Sequence, residues 1–343
     1  MIILYDFADN LLVMGYVIED IDDIDKRIIY ELDLNCRIPE TKLAKIVGRS
    51  KESVRYRIKR LRADGVITKF GTMINLTKVG FEAMKIYLRV REKKKLMELF
   101  TSHYLQRQDV FWFGKGDGSW NIGLTFFARN SKDFFWIKNE LFSNFKELVI
   151  EQVVGSVVEN YSFGKKFLLN DEKIEPKEVL FLGAKEEGAV GEKDKQILEC
   201  LLIDGRMSYV DIASRVGCYP EFARNRIKEL EERKIISMHS ISIDYKKIGY
   251  EFYKTYIYFE GFTKAHEKRF YELACRHPNV LYYLKVLAPW DAELEIMAKN
   301  YHEYNRIVNY FREQFSDVLV QVQTTALDVD ALFPSEKLPI IRT

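Results

Sequence analysis

Between Arg49 and Arg62 the chain sets seven bases (Arg49, Lys51, Arg55, Arg57, Lys59, Arg60 and Arg62) against one acid, Glu52. Val54, Ile58 and Leu61 recur there at i, i+4 and i+7, the spacing of one apolar stripe on a helix. Once that stripe is buried, Lys51, Arg55, Tyr56, Lys59 and Arg62 face outward, while Arg49, Ser50 and Ser53 stand where the helix begins. Outward bases on such a helix suit the major groove of double-stranded DNA. Guanidinium forks read guanine edges bidentately, and every cation neutralises a phosphate. A merely solvated helix face interleaves acids with bases, and this one does not. Arg57 lies beside the apolar stripe, as does Arg226 later in the chain. Each is either a phosphate contact or the partner of an acid on a preceding helix, Asp25 or Asp194.

The same pattern returns 169 positions later, where Arg55-Tyr56-Arg57-Ile58-Lys59-Arg60-Leu61 falls on Arg224-Asn225-Arg226-Ile227-Lys228-Glu229-Leu230. The register carries on through Lys85/Lys254 and Tyr87/Tyr256 and, after one inserted residue, through Trp120/Trp290. A repeat this long is no solenoid unit; a whole two-domain module is duplicated. The two copies differ in charge. From Cys218 to Glu231, Arg224, Arg226 and Lys228 meet Glu221, Glu229 and Glu231, a balance of zero. Arg224 and Lys228 are the second copy's candidate phosphate contacts. The alternative is that this second helix is a structural or partner-binding remnant.

Other chemistry is hard to find. The turn Gly114-Lys115-Gly116-Asp117-Gly118-Ser119 leads into a strand and lacks the phosphate-loop pattern, so it reads as a hairpin connection. The five histidines show no metal spacing, and no Ser-His-Asp or Cys-His set emerges. Cys36, Cys200, Cys218 and Cys275 lie far apart, which excludes zinc-type spacing and argues against disulfides. The expectation is a cytoplasmic protein without cofactor or metal. A net charge of +2 excludes nothing, because DNA binding needs a local basic surface and not a basic whole. The apolar run Leu11 to Ile18 is too short to span a membrane, and Asp6 and Asp9 stand where a signal peptide carries bases. Residues 1–20 are a strand or arm, or sequence upstream of a start at Met14.

Each module must position its reader with three helices. In the first, Ile24, Ile28, Ile29 and Leu32 form one stripe. A second helix follows Pro39 and stops at Gly48, and Ser50 caps the third. Val66 to Ile74 has the content of a short hairpin, giving a winged helix-turn-helix. Strand and helix patterns then alternate as βαββαβ, with strands near 83–90, 110–113, 120–128 and 149–158 in module one. Module two repeats them near 252–259, 280–286, 291–298 and 318–325. The fold class is α+β: two winged helix-turn-helix domains (21–76 and 191–245) alternating with two ferredoxin-like βαββαβ domains (80–162 and 249–328). Residues 1–20 form an N-terminal segment, 163–190 a linker in which Val179 to Leu182 is apolar enough for a strand, and 329–343 a C-terminal tail. One face of each sheet, carrying Phe111 or Phe113 and Tyr282 or Leu284, needs a cover beyond its own helices. Tethered sheets have a high effective concentration for each other, so the two should pack together within one chain.

The signature V-x-x-R-I-x-x-L-x-x-x-G-V-I from Val54 to Ile67, joined to a βαββαβ domain, resembles the Lrp/AsnC family of transcription regulators. The two-module form, with Trp290-Asp291 and Phe315-Ser316-Asp317, is similar to tandem regulators of archaea. The resemblance implies binding to double-stranded DNA and an intramolecular pseudo-dimer, with a homodimer of chains as a further level. It also implies a small effector such as an amino acid near the hairpin between the second and third βαββαβ strands, where the family carries glycine, an aromatic and Asp. Gly118, Trp120 and Asn121 match part of that pattern in module one, and Trp290 and Asp291 in module two. Siroheme decarboxylases resemble the same module and give the alternative, an enzyme. Their pocket uses His and Arg near this hairpin, where this chain has no His and, in module one, only Arg107. A co-regulator that binds protein partners is the third reading.

Overall fold

The computed structural model describes residues 21–169 and 175–339, so the expected N-terminal segment 1–20 lies outside the described residues. Helix α1 (Asp23–Leu34) opens on a reciprocal cap. The Asp22 carboxylate accepts from the Asp25 amide at 2.8 Å, and the Asp25 carboxylate accepts from the Asp22 amide at 3.3 Å. Helix α2 (Glu40–Val47) ends at Gly48, whose φ of 64° only glycine adopts cheaply. Three residues later α3 (Lys51–Ala63) begins, with the Ser50 hydroxyl accepting from the Ser53 amide.

The expected hairpin after α3 is instead a single strand, β1 (Ile67–Ile74), which a short helical turn at Leu76–Val79 follows directly. Its partner comes from the other module: β7 (Ile236–Ile243) runs antiparallel to it. Gly71 pairs with Ser240, its own equivalent in the repeat, so an approximate twofold axis passes through that pair. Arg37 strengthens the junction by donating to the carbonyls of Gly205 and Met207. The second set of helices, α6 (Glu192–Ile203), α7 (Tyr209–Val216) and α8 (Pro220–Glu232), therefore forms one block with the first.

In module one β2 (Glu82–Val90), α4 (Lys94–Leu105), β3 (Val110–Gly118), β4 (Ile122–Ala128), α5 (Ser131–Phe145) and β5 (Val149–Ser162) follow the βαββαβ order. Past the short β6 (Val179–Leu182), module two repeats it as β8 (Glu251–Phe259), α9 (Lys264–Arg276), β9 (Val280–Leu287), β10 (Ala292–Ala298), α10 (Tyr301–Gln314) and β11 (Leu319–Leu332). The two sheets do pack face to face within the chain. Their last strands also cross over. β5 pairs with β2 and then, from Ser156, with β9, while β11 pairs with β8 and then, from Thr325, with β3. The ring β2-β4-β3-β11-β8-β10-β9-β5 closes on itself through the β5–β2 ladder, which gives each of these eight strands a partner on both sides over part of its length. Phe113 packs outward under α4 and α5, whereas Phe111, Trp112 and Leu284 face the interior.

Two expected boundaries shift. Residues 329–332 are not tail but the end of β11, paired with Trp112 to Lys115, and beyond them Phe333 and Leu338 are buried. The 163–190 segment is more than a tether. It contributes β6, buries Phe163, Phe167, Phe181 and Leu182, and pairs Lys165 with Asp33 of α1. Its apolar side chains secure it where a purely polar linker would float free.

Candidate nucleic-acid interface

Helix α3 buries Val54, Ile58 and Leu61, so the opposite face is fixed by packing. Lys51, Arg55, Tyr56, Lys59 and Arg62 are exposed on it, with Arg49 and Ser50 exposed and Ser53 half-buried at its start. The bases divide into two sets. Arg57 donates to Asp25 and Asp22 at 2.9 and 2.8 Å, and Arg60 pairs with Asp25. The Asp25 hydrogen bond holds the Arg57 guanidinium more firmly protonated than usual. These two arginines bind α3 to α1. Arg226 repeats the arrangement, gripping both carboxylate oxygens of Asp194 at 2.7 and 2.6 Å. The second set stays outward. Arg55 reaches Glu40 at 2.8 Å in the open, and the Arg62 guanidinium lies 5.1 Å from the Phe70 ring centre. Among the described residues Lys51 and Lys59 have no ion-pair partner. Exposed pairs such as Arg55–Glu40 contribute little and yield readily to a phosphate.

Helix α8 keeps the frame and loses the field. Gly217 adopts the same left-handed turn, φ 67°, and Ala223, Ile227 and Leu230 fill the buried stripe. Arg224 and Lys228 are exposed, but Glu221 lies 3.7 Å from the first and Glu232 3.5 Å from the second.

The candidate effector residues are occupied with packing. Trp120 and Trp290 are buried between the sheets, 6.1 Å apart, with Tyr87 and Tyr256 against Trp290 at 5.1 and 4.8 Å. The Asn121 and Asp291 side chains accept from the amides of Val90 and Phe259, which ends β2 and β8 in the same way. Gly118 is required by close approach: a Cβ there would stand 2.2 Å from the Thr324 carbonyl oxygen of β11.

Those tryptophans surround a polar cluster that the charge runs of the sequence do not point to. Glu293 is fully buried, and one of its oxygens accepts from Lys85 at 2.5 Å and from Lys254 at 3.0 Å. The other accepts from Tyr87 at 2.6 Å and from the Trp290 indole at 3.0 Å. Lys254 also pairs with Glu295. Burial raises the Glu293 carboxyl, but the two ammonium groups overcome it and bring it down to about 2. Burial takes Lys85 the other way, to about 8, since it has one carboxylate and Lys254 close by. Lys254, between two carboxylates, is held charged. The only hint in the sequence was a lysine recurring at the same place in two apolar strands.

A model of winged helix-turn-helix DNA-binding domains matches residues 21–68, and one of AsnC-type helix-turn-helix domains matches residues 192–231. The HTH-type transcriptional regulator AldR of Mycolicibacterium smegmatis is 36% identical over 120 residues, which cover 33% of this chain and 68% of AldR. The HTH-type transcriptional regulator FL11 of Pyrococcus furiosus is 28% identical over 138 residues, 40% of this chain and 85% of FL11. The chain belongs to the Lrp/AsnC family of DNA-binding transcription regulators. Its form is tandem, one chain holding two modules. Among solved structures the siroheme decarboxylase NirDL aligns over 93% of this chain and 94% of its own, with a TM-score of 0.59 and 12% identity. At that identity the likeness is one of fold: the same duplicated architecture.

Proposed function

We propose that this Lrp/AsnC protein is a cytoplasmic, non-catalytic regulator that binds double-stranded DNA sequence-specifically, with α3 in the major groove. The observation that carries the reading is the outward face of α3, where Lys51, Arg55, Lys59 and Arg62 are exposed while Asp25 of α1 is spent on Arg57 and Arg60. Arg49, Ser50 and Ser53 sit where the amides of the helix start can meet phosphate, and Tyr56 projects beside Arg55. Arg224 and Lys228 of α8 add weaker phosphate contacts. An amino-acid effector at Trp120 and Trp290 would have to displace buried side chains. Two observations favour a regulator over a tetrapyrrole enzyme. Arg107, the candidate cation of such an enzyme, is held by Asp109 and Glu140 at 2.7 Å. The cavity between the sheets, about 20 Å³, has room for about one water, whereas pockets for sizeable ligands run to several hundred Å³.

The test selects duplexes from a random pool and then titrates binding against salt. Replacing Arg55, Lys59 and Arg62 by Ala should weaken binding to all sequences and flatten the log–log salt slope by about 0.9 per lost phosphate contact, about 2.7 for three. Unchanged affinity and slope would refute the reading. A stoichiometric siroheme complex with turnover would move the assignment to the enzyme.

A further inference from the structure

The second reader is more than a weakened copy of the first. Helices α3 and α8 share length, turn and buried stripe, so equivalent residues present the same face. Where module one has Arg49, Ser50, Lys51 and Ser53, module two has Cys218, Tyr219, Pro220 and Phe222. Tyr219 is 82% exposed and Phe222 40%, and Val210 at the start of α7 is 64% exposed. Local stability does not explain Tyr219. It occupies the N-cap without a side-chain cap hydrogen bond, where Ser50 makes one. Nor does phosphate attraction explain these aromatics, since the acids beside Arg224, Arg226 and Lys228 leave the helix only weak phosphate contacts.

We propose that α8 reads a thymine-containing half-site through Tyr219 and Phe222, by apolar contact with the 5-methyl groups that line the major groove. The inference rests on the DNA-binding reading above. The occupant is DNA because this face belongs to the same rigid block as α3. The β1–β7 ladder and Arg37 fix one reader relative to the other about the Gly71–Ser240 axis, the arrangement by which paired readers address two half-sites. The AsnC-type helix-turn-helix match also spans both residues. With four acids (Glu221, Glu229, Glu231 and Glu232) against three bases (Arg224, Arg226 and Lys228), α8 cannot hold DNA alone. It binds because α3 anchors the duplex, and it selects by shape and methyl contact. The operator is then asymmetric: one half read by cations, the other by aromatics.

The experiment uses the full chain and its selected duplex, with thymine replaced by deoxyuridine in one half-site at a time, which removes only the methyl. Wild-type affinity should fall about fourfold per contacted methyl in the module-two half-site, the equivalent of unburying one methyl group. A Tyr219→Ser/Phe222→Ser variant should bind the thymine and uracil duplexes equally, keep the wild-type salt slope, and respond normally to changes in the module-one half-site. Indifference of the wild-type protein to every uracil in that half-site overturns the proposal, as does selection of a site with one half only. A variant that keeps its DNA preference but loses a protein partner overturns it too, and makes this a protein-docking face. Failure of the wild-type protein to select any duplex would instead sink the DNA reading beneath it.

Discussion

Glu293→Gln changes one buried oxygen to an amide and removes the negative charge that Lys85 and Lys254 share. The glutamine can keep one carbonyl oxygen for Tyr87 and Trp290, but its NH₂ then faces Lys85 and Lys254, donors against donors. Removing one partner of a buried ion cluster costs about 3–5 kcal/mol. The pH dependence gives a second, independent figure. The Glu293 carboxyl titrates near 2 when folded against 4.5 ordinarily. A depressed carboxylate contributes stability that is present above its unfolded value and lost as pH falls through the folded one. Bringing that carboxyl from 4.5 down to about 2 is worth on the order of 3 kcal/mol. Lys85 acts in the opposite window. Its folded value, about 8, lies below the ordinary 10.5, so the folded state binds fewer protons between them and stability rises with pH there. In the variant that window moves down, because Lys85 faces Lys254 with no shared carboxylate. Urea denaturation of both proteins from pH 3 to 9 should show wild type ahead by about 3–5 kcal/mol at pH 7. The gap should close on the acid side, and on the alkaline side as Lys85 loses its proton. A gap below about 1 kcal/mol, the scale of an exposed pair, or one flat across pH, would refute this account of the cluster.

Gly123→Ala should destabilise by about 1–3 kcal/mol through overpacking, because the new Cβ would stand 2.5 Å from the Trp112 ring and 3.1 Å from Tyr87; calorimetric melting checks it, and an unchanged Tm would show that the ring can yield. Cleaving the chain between residues 169 and 175 should leave two halves bound one to one in native mass spectrometry, and neither half should form a stable homodimer when isolated.

The sequence made the helices of both readers legible, since a stripe at i, i+4 and i+7 together with a glycine stop is a local signal. The order of strands and helices along the chain was legible too, because most strands are rich in apolar residues and bounded by turns. The partner of β1 was not. A strand of mixed character after a helix looks like half of a local hairpin, and only the closed structure shows that its edge is met by β7. The crossovers of β5 and β11 were hidden for the same reason, since pairing past Ser156 or Thr325 depends on residues of the other module. At the site, charge balance found the outward bases of α3 and the pairing options of Arg57 and Arg226. It passed over Tyr219 and Phe222, which carry no charge, and over Glu293 and Glu295, whose alternation with apolar neighbours looks like an ordinary half-exposed strand.

The interior charges explain why the two modules choose each other. Module one contributes Lys85, with Gly123, Thr125 and Asn160 at the places where module two has Glu293, Glu295 and Asp330. Two copies of module one would bury two ammonium groups with no carboxylate from these positions, and a buried charge without a partner is among the costliest features a fold can carry. Two copies of module two would set four glutamates, together with both copies of Asp330, against two lysines. Only the mixed pair brings Lys85 and Lys254 to Glu293 and Glu295 in balance, with the single Asp330 left to the Trp112 indole and pushed up by burial to about 6. Shape agrees with charge, since Gly123 leaves the room that the Trp112 ring fills and Glu293, its equivalent, could not. A homodimer cannot hold such a solution, because every residue change appears on both sides of its axis. Fusing the modules removed that constraint inside the barrel, and it removed it equally at the readers, where α8 has Glu229 and Glu231 in place of Arg60 and Arg62, and the aromatics Tyr219 and Phe222 in place of Ser50 and Ser53.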